Sequence, residues 1–439
     1  MRTPLNWFSP LPAHRTDIAN YTARVLPALI EEGPVTLWSD LNADHTALRG
    51  AEVRQFHGLD LPWPPLNYQS PSIYQVGNDG RFHRQIVEVA LRQPGVLVLH
   101  DLGVHDLLRF YCLEGDGPGK EAYIQLVRRY AGNLAAQEAR ETLKGERPVE
   151  DVVPRYPMFE WLTTGAWGVI VHNPENLDRV AASTRAPVWA APLPYWPQDR
   201  LHPVQPPRAA PQGRRRLLLF GFLHSANRRL QPILEALATF PRRDELELTL
   251  AGEYPDAEAM PRHLQEMGLS EIVHVRGFLS EGDLRAELDA ADLVLNLRWP
   301  SLGEASGTLL RVWDHARPAL VTRTAFYATL PEEVVAFVDP KDEQAELHRH
   351  FSRLLDEPAY YARMGEAGRA YLERHHTAEA FARGLRAFRE EAAAFGRIAY
   401  PEKWGESIAR RHLARLPATT HPAMIRRLSE VIEGCYPLQ

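Results

Sequence analysis

Short apolar runs alternate with helical-period stretches along most of this 439-residue chain. In the second half the runs fall at 216–223, 246–252, 272–278, 292–297, 319–322 and 334–338. They are rich in leucine or β-branched residues and continuous, as strands buried on both faces of a parallel sheet must be. Between them Leu230, Ile233, Leu234 and Leu237 recur at helical spacing, and Pro232 fits only the first turn of that helix. Ser280-Glu281-Gly282-Asp283 predicts another helix start, with Leu284 and Leu288 on its apolar face. Strands alternating with helices of this length predict a doubly wound α/β domain.

The first half repeats the theme less regularly. Runs at 35–38, 73–77, 96–100, 169–172 and 188–191 predict strands, and residues 6–12 predict a first strand running into a loop. Between His202 and Gly213 the sequence reads HPVQPPRAAPQG, a proline-rich linker pattern that divides the chain nearly in half. Two Rossmann-like domains are therefore expected, over residues 1–205 and 206–390, with the strand ends of both at one cleft. From Thr377 to Ile432 the pattern is mostly helical, broken near Tyr400-Pro401, and residues 391–439 are expected as helices packing across the domains. There Arg410-Arg411 and Arg426-Arg427 alternate with Leu413, Leu416, Ile425 and Leu428. A packed helix with a wet basic side fits this better than a membrane-surface helix, although peripheral membrane contact stays open.

Composition narrows the function classes. Hydrophobic content of 45% and charged content of 24% are those of a soluble globular protein. A formal net charge of -6, with basic residues scattered among acids, gives no footprint for nucleic acid. Cys112 and Cys435 form neither a disulfide framework nor a zinc cluster, and they suit a reducing cytoplasm. The longest apolar runs, 95–99 and 217–222, have strand length and not the length of a membrane span. The opening MRTPLNWFSP lacks the pattern of a signal peptide, so Asn20-Tyr21-Thr22 reads as an accidental sequon and a cytoplasmic location is expected.

The most specific stretch is LRWPSLGEASGTLLRVWDHARPALV, residues 297–321. A strand ends, Gly303-Glu304-Ala305-Ser306-Gly307 turns, and a helix begins that Pro318 stops. Glycines and small side chains let backbone N–H groups approach an anion, which the unpaired donors and dipole of a helix start favour. Glu304 would repel the anion but accept hydrogen bonds from a polyol. A sugar joined to a diphosphate fits both halves.

With these residues in view, the chain resembles the retaining GT-B glycosyltransferases of family 4 over nearly its whole length. In the first domain the resemblance rests on Ser9-Pro10-Leu11-Pro12 with Ile18-Ala19-Asn20-Tyr21, on Tyr74-Gln75-Val76-Gly77-Asn78 with His83, and on residues 94–101 ending in His100-Asp101. In the second it rests on Phe220-Gly221-Phe222 with Asn227-Arg228-Arg229-Leu230, and on Gly303 to Gly307 with Arg311 and Pro318. It implies metal-independent transfer of a sugar from a nucleoside diphosphate donor, such as a UDP- or GDP-sugar, with no cofactor. The acceptor, whether glycan, lipid, protein or small molecule, would lie against the first domain.

The same resemblance assigns roles. Arg228 stands in place of a phosphate-binding lysine, and Glu304 would bind sugar hydroxyls. Ser306, Gly307 and Thr308 would present backbone N–H groups to the diphosphate, Gly277 and Phe278 would hold the nucleobase, and Gly221, Arg229, Leu309 and Arg311 would also bind the donor. A first-domain histidine, His83 in preference to His100, would contact the transferring sugar, with Asn78 and Asp101 at the cleft. Departures accompany the matches. Val312 replaces a ribose-binding glutamate, Phe222 a second phosphate-binding arginine, and Thr16-Asp17 a flexible serine-glycine pair; Arg229 or His224 could stand in for the lost cation.

Each assignment has a plainer alternative. Glu304 could be a solvated loop residue, either of Arg228 and Arg229 an exposed helix start, and Arg311 a partner of Asp314. His100-Asp101 could be a structural pair, and Trp299 could cover a sheet edge. Two rival functions keep the fold: a cofactor-free nucleotide-sugar epimerase, which needs further acid/base carboxylates, and a non-catalytic binding module. A dinucleotide oxidoreductase is disfavoured because no strand leads into G-x-G-x-x-G.

Overall fold

A computed structural model describes residues 4–14, 16–41, 48–58, 60–61, 71–195, 213–223, 226–254, 259–301 and 303–399. The expected linker up to residue 212, the expected helices beyond residue 399, His224 and Cys435 lie outside the described residues.

Two parallel sheets organise the chain. The first holds β1 (Leu5–Phe8), β2 (Val35–Ser39), β3 (Glu52–Gln55), β4 (Ile73–Val76), β5 (Val96–Leu99), β6 (Gly168–Val171) and β7 (Val188–Ala190). Their order is β3-β2-β1-β4-β5-β6-β7, every neighbour parallel. The second holds β8 (Arg215–Phe222), β9 (Leu246–Glu253), β10 (Val273–Gly277), β11 (Leu293–Asn296), β12 (Ala319–Thr322) and β13 (Ala336–Val338). Its order is β10-β9-β8-β11-β12-β13, again parallel.

The central strands β4, β5, β6, β11 and β12 are buried at every position, which is why their sequences run apolar without alternation. β3 escaped the sequence pattern because its four residues, EVRQ, are a sheet edge with no buried position. Helix starts follow the capping chemistry: Ser280 Oγ accepts the Asp283 N–H at 3.2 Å, and Ser306 Oγ accepts the Leu309 N–H at 3.2 Å. Pro232 falls at the third residue of the Leu230–Thr239 helix, where its missing N–H costs nothing.

The Ala378–Ala399 helix returns to the first sheet. Its buried stripe of Ala378, Phe381, Ala382, Leu385, Phe388 and Ala392 packs against β6 and the Asp17–Glu32 helix. The Phe381 ring stacks on Trp189 at 5.7 Å. The expected boundary between residues 390 and 391 thus falls inside one continuous helix. One apolar cluster runs from Trp7 and Val98 through Phe381 to Leu309 and Trp313, joining both sheets. Polar contacts reinforce the seam: the Tyr195 N–H donates to the His376 carbonyl at 2.7 Å, and the Tyr195 hydroxyl to Asp314 Oδ2 at 3.0 Å. No described helix is long and apolar enough to cross a membrane.

Four packed histidines tie this core to pH. His83, His105, His172 and His376 each place Nδ1 against a backbone carbonyl, and burial pushes all four down to about 4. As pH falls below 6.5 the unfolded chain takes up these protons while the folded one does not, so stability is full above 6.5 and lost progressively towards 4. The melting temperature should therefore drop between pH 7.5 and pH 5 in calorimetry; a flat profile would contradict this account.

Candidate functional site

In each sheet the chain reverses its direction of winding between two neighbouring strands: β1 and β4 in the first, β8 and β11 in the second. Ligands of doubly wound sheets bind beyond the carboxyl ends of the strands at such points. The chemistry-bearing side chains gather there. Asp17 follows β1, Gly77, Asn78 and His83 follow β4, and Asp101 follows β5. Arg228 follows β8, Arg298 and Glu304 follow β11, and Tyr327 follows β12.

Glu304 is not a solvated loop residue. Its Oε1 accepts from Arg298 Nη1 at 2.8 Å and its Oε2 from Ser301 Oγ at 3.2 Å. The loop that carries it is docked on the other domain: the Gly303 carbonyl accepts from Asn176 Nδ2 at 2.6 Å and Asn173 Nδ2 at 3.4 Å. Gly303 has φ +83°, and a Cβ there would meet Leu102 Cβ at 2.7 Å, so only glycine permits the approach.

Arg228 and Arg298 are each 8% exposed. Arg228 makes no hydrogen bond or ion pair with a described residue, and burial, with Arg298 adding to it, pulls its guanidinium down to about 10, still charged at neutral pH. Arg298 is held well above its ordinary value: burial opposes its charge, but the Tyr327 hydroxyl, Glu304 and Asp17 outweigh it. The two arginines are kept together by the backbone, since the Trp299 N–H donates to the Asn227 carbonyl at 2.8 Å. Beside them begins the Gly307–Asp314 helix, capped by Ser306. The N–H groups of Gly307 and Thr308 have no acceptor within their own helix, and open space adjoins Gly307.

Across the cleft, the His83 Nδ1 lies 3.0 Å from the Gln75 carbonyl, which can only accept. Nδ1 therefore carries the proton and Nε2 is left as an acceptor. That Nε2 and Asp101 Oδ2 lie 2.9 and 3.3 Å from where a Gly77 Cβ would stand, so a larger residue would crowd both. Burial raises the Asp101 carboxyl to about 6, with Glu304 contributing; the Asn78 N–H, 2.9 Å from Oδ2, and Arg298 pull the other way.

Several expected site residues are engaged elsewhere. Arg229, not free for a diphosphate, pairs with the buried Glu343 through Nε at 3.0 and 3.1 Å. Leu309 is fully buried and its N–H is taken by the Ser306 cap. Arg311 pairs with Glu281 and lines a separate cavity with Arg24, Tyr195 and Asp314; Asp314, its expected alternative partner, accepts from Tyr195 instead. Asn78 is a cap, its Oδ1 accepting the Asp106 and Leu107 N–H groups at 3.1 and 3.3 Å. His100 bonds Gln75 Oε1 at 2.7 Å and sits edge-on to Tyr21, so it is not paired with Asp101. Gly221, with φ +114°, borders the Arg228 guanidinium, whereas Gly277 and the 67%-exposed Phe278 lie open at the end of β10. Trp299 is 41% exposed.

Two residues of the cluster carried no assignment from sequence. Arg298 lay inside the motif, as a lone cation ending an apolar strand, which was the signal available. Tyr327 sits on a four-residue helix with no pattern of its own.

No protein-family profile matches the chain, and no curated protein does. Solved structures do. A sucrose-phosphate synthase from Thermosynechococcus elongatus aligns with TM-score 0.57 at 17% identity, over 90% of this chain and 100% of that one. The fold is GT-B. Anabaena HepE in complex with UDP aligns with TM-score 0.55 at 14% identity, over 88% and 99%. WaaG, a glycosyltransferase involved in lipopolysaccharide biosynthesis, aligns with TM-score 0.53 at 15% identity, over 86% and 97%. At these identities the likeness is one of GT-B architecture.

The raised Asp101 carboxyl has a sign that calorimetry can read. Its folded value of about 6 exceeds the ordinary 3.8, so the charged form costs stability above pH 6, and that cost is relieved as pH falls towards 4. Asp101→Asn should melt above the wild type at pH 7.5, with the gap narrowing at pH 5 and closing towards pH 4. An equal gap at both values would reject the assignment.

Proposed function

We propose that this chain is a retaining glycosyltransferase of the family-4 type, moving a sugar from a nucleoside diphosphate to an acceptor hydroxyl. The observation that carries the reading is Arg228: a buried cation without a partner among the described residues, beside a second arginine and an open helix start, at the switch point of the second sheet. A buried unpaired charge is costly and calls for an anionic occupant. A diphosphate meets that demand, and two guanidinium groups with backbone donors neutralise it without a divalent metal.

Glu304, rigidly held beside the anion position, would accept hydrogen bonds from the sugar, and the neutral Nε2 of His83 would do so from the facing domain. In the reaction the bond between the anomeric carbon and the phosphate oxygen breaks. The acceptor oxygen bonds that carbon on the same face, and its proton passes to the departing diphosphate. No protein nucleophile is required; the chain contributes orientation and stabilisation of charge developing on the leaving group. HepE having been solved with UDP supports placing UDP first among nucleotides to try. A cytoplasmic site of action suits the same reading.

A second reading draws on Asp101, Asp17 and Glu304, which share one electrostatic neighbourhood. Three carboxylates, one holding its proton to about pH 6, could serve a nucleotide-sugar epimerase. Sugar analysis after incubation without acceptor separates the two, since only an epimerase returns an isomerised nucleotide sugar.

Under the transferase reading, one of UDP, GDP, ADP and TDP should raise the melting temperature selectively, and NAD should not. Arg228→Ala and Glu304→Ala should each lower kcat by about 10²–10³-fold, as loss of one preorganised charged contact does, with folding retained. Near-normal turnover in both variants would refute the site.

A further inference from the structure

Among the described residues, three buried donors at the cleft are left without acceptors. The Tyr327 hydroxyl, on a side chain 3% exposed, has no partner; neither has Arg298 Nε, although its Nη1 bonds Glu304. Arg228, 8% exposed, makes no hydrogen bond to a described residue. These groups are electrostatic neighbours, and a backbone hydrogen bond between Trp299 and Asn227 fixes the two arginines side by side. Meanwhile the position at the end of β8 that the family resemblance gives to a second cation holds Phe222, and Arg229 is committed to Glu343. Two like charges held together out of water, with donors to spare, fit a doubly charged ligand better than they fit each other.

We propose that Arg298, assisted by the Tyr327 hydroxyl, is the second anchor of the diphosphate, supplied from the end of β11 instead of the end of β8. This rests on the transferase reading of the same site. Arg298 then has two tasks. One edge of its guanidinium holds Glu304 in place for the sugar, while Nε and the remaining N–H bonds face the phosphates. A planar fork can do both at once, which an ammonium cannot. The arrangement couples the two halves of the donor: the group that grips the diphosphate also orients the carboxylate that reads the carbohydrate.

The test is titration calorimetry of the full chain with UDP, GDP and ADP, their monophosphates, and inorganic pyrophosphate as competitor. Wild type should bind at least one nucleoside diphosphate, displaced by pyrophosphate. Arg298→Gln should weaken that diphosphate by about 10- to 100-fold, the range for a lost charged hydrogen bond, and the monophosphate far less. Arg298→Lys should recover only part of the loss. Tyr327→Phe, which leaves the ion pair intact, should weaken the diphosphate selectively by a smaller factor and decides the matter if Arg298→Gln does not fold. Unchanged diphosphate affinity in folded Arg298→Gln or in Tyr327→Phe, or equal losses for mono- and diphosphate, would overturn the assignment while leaving the transferase reading intact. A wild type that binds no nucleoside diphosphate would overturn both.

Discussion

Arg228 and Arg298 lie next to each other with less than a tenth of either exposed. Removing one such charge from water costs on the order of several kcal/mol, and a like charge alongside adds to it. The surroundings follow from that constraint. Glu304 pairs with Arg298, Asp17 sits within reach of both guanidiniums, and Asp101 faces the group from the other domain. The negative charges do not simply cancel the positive ones. Among the described residues Arg228 stays without a bonded partner, and Asp101 is held to a raised proton affinity by burial and by Glu304. That balance is what the proposed diphosphate would complete.

Such a balance exists only in the assembled fold. Its members come from the ends of four strands in two sheets, separated by more than two hundred residues between Asp17 and Arg228. What holds the sheets in register is largely apolar: the cluster through Trp7, Phe381 and Trp313, and the helix that leaves the second domain to pack on the first. A few polar clasps set the fine geometry. Asn173 and Asn176 fix the Gly303 carbonyl, and with it the loop that carries Glu304. Because the clasp is backbone on one side and amide on the other, it adds no charge to a cleft that already holds five.

Much of this was legible in the chain. Continuous apolar runs gave strands, because a strand covered on both faces has no polar side to betray it. The loop from Gly303 to Gly307 gave a helix start beside a carboxylate for the same physical reason it works. What could not be read was direction. Arg228 and Arg229 are adjacent and chemically identical, and only the left-handed turn at Arg229, φ +60°, sends one to the cleft and the other to Glu343. Arg311 was likewise turned, by its place on the helix, towards Glu281. Tyr327 carried no signal, since an aromatic in a short helix after a strand is ordinary core until its hydroxyl is found without a partner.

The departures from the family pattern then become one rearrangement. Val312 is fully buried in the apolar cluster with Leu309 and Trp313. A glutamate at that position would bury a charge among apolar side chains, and Arg311, the neighbouring cation, has turned to Glu281. Phe222 can stand where a cation is expected because the backbone bond from Trp299 to Asn227 brings Arg298 to Arg228 from a different strand. Under the proposed function, the charge needed beside a diphosphate is thus kept in amount and moved in sequence. A loop one strand over supplies it, and the same loop carries the carboxylate that the moved arginine holds still.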